Sequence, residues 1–367
     1  MARNINEILN VMLERRASDL HLKVGRPPLI RVDGKIIPLE MSNLTDEEVE
    51  EIAFNLMNSK QRTKFADVNE IDLAYSPSGM VRYRVNIFRQ RGSVEIIIRM
   101  IPKIIPTLDE LNLPPVLKKI ALEPRGIILV TGSVGSGKST TIASMIQYMN
   151  NERQYHIITI EDPIEFLHVD NKSSITQREL GIDTESYAVA LKYVLRQDPD
   201  VIFIGEMRDL DTVAAAISAG ETGHLVLSTL HTINASQTID RLVDFFPPYQ
   251  QSQIRMQFAN ILTAIISLRL VERADGKGRV PAVEVMIGTP TIKGLIRENK
   301  LSSLKSMIQQ GSAQYGMQTF DQSLASLYKK GLITLEKALS EATSPNDLKL
   351  SLSGIVSSTD LTGDRIY

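Results

Sequence analysis

Gly132-Ser133-Val134-Gly135-Ser136-Gly137-Lys138-Ser139 sets three glycines, a lysine and a hydroxyl in the spacing G-x-x-x-x-G-K-S. Glycines let backbone N–H groups turn inward around an anion, a lysine neutralises it, and a serine hydroxyl can take one position on a divalent cation. The apolar run Ile127 to Val130 precedes the loop and a helix-like run follows it, which is the strand–loop–helix setting that phosphate binding requires. This is chemistry for a nucleoside triphosphate with Mg2+. The eight loop residues and Thr140 are the expected ATP contacts, and Ser139 the expected metal ligand.

Three further polar clusters each follow an apolar, strand-like run: Glu161-Asp162-Pro163-Ile164-Glu165, Gly205-Glu206-Met207-Arg208-Asp209, and Leu230-His231. In open parallel sheets ligands sit outside the carboxyl ends of strands, so position supports function independently of residue type. Glu206 is the expected general base for the attacking water and a second-line Mg2+ contact, reached through water because Gly205 stands where an acid often ends such a strand. Glu165 is a second water-positioning candidate, with Glu161 and Asp162 as substitutes. His224 and His231 stand seven residues apart, roughly 23 Å along a straight strand, so they cannot share one phosphate. His231, at the carboxyl end, is the expected phosphate sensor or water orienter; His224 is expected to couple to another element or subunit.

Residues 71–101 carry Arg82, Arg84, Arg89, Arg91 and Arg99 against Asp72 and Glu95 alone. On an extended strand Arg82 and Arg84 share a side. They are either the charged rim of an edge strand or donors to a phosphate in a neighbouring subunit.

Positioning these groups takes a buried parallel sheet. Apolar runs at 127–130, 157–160, 201–204 and 225–229 alternate with helical patterns, which predicts a largely parallel, doubly wound α/β domain over 116–290. The first 100 residues predict a smaller α+β domain: an amphipathic helix through Ile5, Ile8, Leu9, Met12 and Leu13, six short strands at 19–24, 28–32, 35–38, 71–76, 81–88 and 93–100, and a helix from Thr45 with a Glu48 capping box. Turns are expected at Asp33-Gly34, Pro77-Ser78-Gly79 and Arg91-Gly92. Prolines 102, 106, 114 and 115 predict a linker over 101–115. Residues 291–367 read as four short helices and a loose serine-rich tail.

At 367 residues with 43% hydrophobic and 23% charged residues, the chain is an ordinary folded protein of more than one domain. A net charge of −2 and 5% aromatic content offer little for nucleic acid, which disfavours a translocase on DNA or RNA. No cysteine is present, so disulfides and thiolate metal sites are excluded. The N-terminus lacks a secretory pattern and the apolar stretch 258–270 is too short and too polar to span a bilayer. The expectation is a cytoplasmic protein with no direct membrane insertion.

These residues together resemble the secretion and type IV pilus ATPase superfamily, and within it the pilus retraction motors. The loop at 132–139 corresponds to its phosphate loop, 160–168 to its aspartate box, 200–209 to its Walker B segment and 222–232 to its histidine box. Ser18-Asp19-Leu20-His21-Leu22 and Arg31-Val32-Asp33-Gly34 resemble its N-terminal signature. The resemblance implies a PAS-like N-terminal domain, a RecA-like ATPase domain and a homohexamer at the cytoplasmic face of the inner membrane, working on a pilus platform protein. Assembly-type relatives carry an extra N-terminal domain and a four-cysteine motif; this chain starts at the PAS-like part without cysteine, which favours retraction over assembly or type II secretion. Retraction motors show Ala-Ile-Arg-Asn-Leu-Ile-Arg-Glu where this chain reads Thr291-Ile292-Lys293-Gly294-Leu295-Ile296-Arg297-Glu298, five of eight positions agreeing. Spacing alone reads Ile292, Leu295 and Ile296 as core; the resemblance makes Leu295, Ile296, Arg297 and Glu298 the expected output segment.

Overall fold

A computed structural model describes residues 4–32, 34–77, 81–101 and 104–353. The expected turns at Asp33 and Ser78-Gly79, Pro102, and the tail from residue 354 lie outside the described residues. The chain divides into two compact units, residues 1–104 with 165–167, and residues 105–164 with 168–367.

The first unit is one antiparallel sheet covered by helices. Its strands are β1 (Asp19–Lys23), β2 (Leu29–Val32), β3 (Lys35–Pro38), β4 (Glu70–Tyr75), β5 (Tyr83–Gln90) and β6 (Ser93–Met100), in the order β3-β2-β1-β6-β5-β4. Alternation places Tyr83, Val85 and Ile87 of β5 and Val94, Ile96 and Ile98 of β6 on the buried face. The helix Ile5–Glu14 lays Ile8, Leu9 and Met12 into that core, and the helix Asp46–Leu56 begins with the Thr45–Glu48 capping box. A further helix, Ser59–Val68, went unread in the sequence. Phe65 is its one buried residue, so the run shows no apolar period, and its start rests on a capping box between Asn58 and Gln61.

On β1, Asp19 is 4% exposed and binds Arg99 at 2.7 Å and Arg31 at 3.5 Å, with the Ser18 hydroxyl donating at 2.7 Å. Burial alone would raise its carboxyl, but the Ser18 and Arg99 hydrogen bonds and the two arginine charges outweigh burial and hold it below the ordinary value of 3.8. A depressed carboxyl stabilises the fold above its unfolded value and ceases to do so as pH falls through the folded one. Asp19→Asn should therefore cost about 1–3 kcal/mol at pH 7, read as faster hydrogen exchange in β1, β2 and β6, with the difference closing below pH 3.8. An equal difference at pH 7 and pH 2.5 would assign the loss to packing instead of charge.

The second unit is a seven-stranded sheet: β7 (Gly126–Thr131), β8 (His156–Glu161), β9 (Ser174–Glu179), β10 (Val201–Ile204), β11 (Leu225–Leu230), β12 (Leu262–Glu272) and β13 (Arg279–Ile287), in the order β13-β12-β7-β11-β10-β8-β9. All pairings are parallel except β12 with β13. Separate hydrophobic clusters line its two faces, so β7, β10 and β11 are buried throughout. Residues 105–115, expected as linker, belong to this unit because Leu108 and Leu113 enter its core. The C-terminal helices belong to it too, with Phe320, Leu324 and Leu327 packed on the β12/β13 hairpin. Among the described residues no helix is long and apolar enough to cross a membrane.

Candidate functional site

The strand order β7-β11-β10 sets three carboxyl ends side by side. From them emerge the glycine-rich loop after β7, His231 after β11 and Glu206 two residues beyond β10. Gly132 takes φ +144°, and a Cβ there would lie 2.5 Å from both the Leu268 carbonyl oxygen and Ser136 Oγ, so only glycine fits. Gly137, at φ +96°, begins the helix Lys138–Glu152 with no side chain capping its first N–H groups. An uncapped helix start beneath a glycine loop is suited to an anion.

Lys138, 8% exposed, extends its ammonium over the loop. Nζ donates to the carbonyls of Gly132 at 2.8 Å and Ser133 at 3.0 Å, and lies 3.3 Å from His231 Nδ1. The far ring nitrogen, Nε2, is 3.2 Å from Glu206 Oε1. Since Lys138 can only donate, a neutral imidazole with its proton on Nε2 satisfies both neighbours. Arg208 Nε donates to Glu206 Oε2 at 2.7 Å, a hydrogen bond that, with the Glu206 charge, outweighs desolvation and raises the Arg208 value. The four side chains thus form one line, Lys138–His231–Glu206–Arg208.

Gly205 has a steric cause. A Cβ at that position would meet the Tyr187 hydroxyl at 2.7 Å, and the backbone is pinned by the Gly205 N–H to Ile160 O at 2.8 Å and by Thr229 Oγ1 donating to Gly205 O at 2.6 Å. The acid therefore comes one residue later. Burial, reinforced by the Asp162 charge, pushes the Tyr187 phenol well above its ordinary value, so it stays a neutral hydroxyl beside this turn. Tyr187 carried no sequence signal, and Arg208 stood in the 205–209 cluster without a role; the helix Tyr187–Val194 and an i, i+2 pair around a turn reveal themselves only in three dimensions.

Other sequence candidates lie elsewhere. His224 sits before β11, at the opposite end from His231, with Nδ1 3.1 Å from Ala219 O. Glu161 is buried against Thr159 Oγ1 and Gln177 Nε2, at 2.6 and 3.1 Å. Exposed Glu165 falls in the segment grouped with the first unit. There, Arg84 pairs with Asp72 at 3.5 Å, Arg89 with Glu50 at 3.4 Å and Arg99 with Asp19; Arg82, just ahead of β5, is half-buried. The excess positive charge read over 71–101 is thus reduced by carboxylates from outside that stretch.

In the helix Pro290–Arg297, Ile292 and Ile296 are fully buried in the main core and half-buried Leu295 packs at its edge. Ile296 therefore packs in the core, as its spacing alone expects. Exposed Arg297 reaches Asn260 Oδ1 at 2.6 Å, and Glu298 pairs with Lys300 at 2.7 Å.

The loop fits a triphosphate: the helix start is uncapped, half-buried Ser139 and Thr140 stand in its first turn, and Ser136 Oγ is buried without a protein partner. Among the described residues no group of three His, Cys, Asp or Glu side chains could hold a metal. Mg2+ bound mainly by phosphate and water requires none.

The chain belongs to the type II/IV secretion system protein family, whose profile matches residues 1–339. Among individual relatives, the chain is 45% identical to the type IV pilus retraction ATPase PilT of Pseudomonas aeruginosa over 344 residues, 94% of this chain and 99% of that one. It is equally identical, 45% over 346 residues, to the type IV pilus ATPase PilU of the same organism, covering 94% and 90%. A crystal structure of the pilus retraction motor PilT with bound ADP superposes with a TM-score of 0.88 at 48% identity, covering 95% of this chain and 99% of that one.

Proposed function

We propose that the chain binds MgATP at residues 132–140, hydrolyses it, and as a homohexamer powers type IV pilus retraction and twitching motility from the cytoplasmic face of the inner membrane, acting on a membrane platform protein of the pilus. The observation that carries the ATPase reading is the Lys138–His231–Glu206 line at the carboxyl ends of three adjacent strands. When ATP enters, Lys138 exchanges the Gly132 and Ser133 carbonyls for phosphate oxygens, and His231, with its proton moved from Nε2 to Nδ1, donates to the terminal phosphate. Glu206, released from the ring, takes the proton of the attacking water. Bound through Ser139 and the phosphates, Mg2+ would supply charge neutralisation at the β and γ oxygens. The retraction half of the proposal rests on likeness to PilT over nearly the whole chain.

Leu295 tests that half. Truncating a half-buried leucine at the core edge costs about 1–2 kcal/mol, too little to unfold the unit. In a strain lacking the gene, the wild-type chain should restore normal pilus number and twitching, whereas Leu295→Ala should leave excess surface pili and no twitching while the purified variant keeps its assembly and most phosphate release. A gene-deletion strain without pili would assign assembly in place of retraction. Joint collapse of ATPase activity and thermal stability in Leu295→Ala would make the residue core alone.

A further inference from the structure

Glu284, a buried carboxylate on β13, takes no part in the contacts described so far. It is 7% exposed, stands opposite Ser267 of β12, and accepts the Ala235 N–H at 2.9 Å. Burial pushes its carboxyl above the ordinary range, with the Ala235 hydrogen bond and the charges of Arg269 and Lys305 opposing and Asp321 adding to the rise. A carboxyl in such a place is costly and needs its partner.

The partner is informative. Ala235 is the first residue of the helix Ala235–Asp244, which already has its own cap, because the Asn234 side chain accepts from the Gln237 N–H. Glu284 is a second anchor from outside the helix, and three residues separate Ala235 from His231. Thr232 Oγ1, 2.7 Å from Thr238 Oγ1, ties those residues to the same helix. The His231 ring therefore stands on a loop fixed by β11 at one end and by Glu284 at the other. The charges that act on Glu284 are themselves held in place: Arg269 lies over the Phe320 ring at 4.0 Å and donates to Glu341 O at 2.9 Å, while Lys305 pairs with Asp321 at 3.2 Å.

We propose that Glu284 is a positioning residue for ATP hydrolysis: by holding the start of the helix Ala235–Asp244 it keeps His231 between Lys138 and Glu206. The inference rests on the reading that His231 takes part in hydrolysis, and the test separates the two.

Phosphate release by the full-length protein is measured against ATP concentration for His231→Ala, Glu284→Ala, Glu284→Gln and Ala235→Pro. Glutamine keeps an acceptor for the Ala235 N–H. Ala235→Pro removes that N–H and sets its Cδ in the same place, so the carboxylate must turn away from the helix start; proline is favoured at a first helical position, and Asn234, at φ −159° and ψ 170°, already has the extended shape that proline imposes on its predecessor. Displacing a catalytic group by about 1 Å costs up to roughly 100-fold in rate. Glu284→Ala and Ala235→Pro should each lower kcat by about tenfold to 100-fold with KM for ATP within about threefold, and Glu284→Gln should stay within about threefold of wild type. Added to His231→Ala, Glu284→Ala should change kcat by less than about twofold, since a residue acting through His231 has nothing left to position. If Glu284→Ala fails to fold, Ala235→Pro alone decides. Normal turnover by Ala235→Pro beside a slow His231→Ala overturns the inference, as does a full multiplicative loss in the double variant. Normal turnover by His231→Ala overturns the reading of His231 itself.

Discussion

Glu206→Gln is expected to lower kcat for phosphate release by about 100-fold to 10,000-fold, the range for removing a general base, with ATP affinity changed by less than about threefold. Shape is conserved, but the contacts are not equivalent. Glu206 accepts from two donors, His231 Nε2 at Oε1 and Arg208 Nε at Oε2. A glutamine has one acceptor oxygen, so its amide must turn toward one donor and present N–H groups to the other. The variant therefore loses its proton acceptor and also half of the line that orients it, while Lys138 and the loop backbone remain as they were. Phosphate release and equilibrium binding of a fluorescent ATP analogue separate the two effects. Near-normal release would remove Glu206 from the base role, and loss of binding in proportion to turnover would make it a structural part of the nucleotide pocket. His231→Ala serves as the comparison, since its loss should also fall mainly on turnover.

The parts of this site legible in the sequence are those whose cause is local. The glycine loop is set by backbone conformation within eight residues, and the apolar strands that end at Glu206 and His231 stand out because both of their faces are buried. Glu206 was legible through position alone. What was not legible depends on residues far apart in the chain. Nothing near residue 205 announces that Tyr187 occupies the space of a side chain there. A count of charges over 71–101 finds two carboxylates, whereas Asp19 and Glu50 arrive from β1 and from the helix Asp46–Leu56 to pair with Arg99 and Arg89. The β12/β13 hairpin was missed for a different reason. From Phe258 through Val271 the chain is predominantly apolar while it changes from helix to strand at Leu262, and such a run carries no clear period of 3.6 or 2. Glu284 was invisible on both counts, lying in that hairpin and acting on a residue 49 positions earlier.

Lys138→Ala should weaken ATP binding by roughly 100-fold or more and remove measurable turnover. The structure sets the reference for that estimate. In the state described, Nζ already donates to the carbonyls of Gly132 and Ser133 and faces His231 Nδ1, so binding exchanges neutral acceptors for charged ones. Both sets of bonds have a charged donor, so the gain is the added attraction between the ammonium and an anionic acceptor, about 3 kcal/mol in a partly buried site, roughly 100-fold in affinity. Losing the carbonyl contacts costs the free protein about 1–3 kcal/mol, nearly all of it at buried Gly132, because Ser133 is exposed and its carbonyl can turn to water. Lys138→Arg should not rescue binding: the position is 8% exposed and closed by the loop and His231, which leaves no room for a planar guanidinium. The thermal midpoint without nucleotide should thus fall modestly in the variants, and the rise produced by saturating ATP in the wild type should disappear in both. An Ala variant that ATP still stabilises as strongly as wild type would show that the affinity comes from the loop backbone and helix start alone, and the role of Lys138 would then be confined to the transition state.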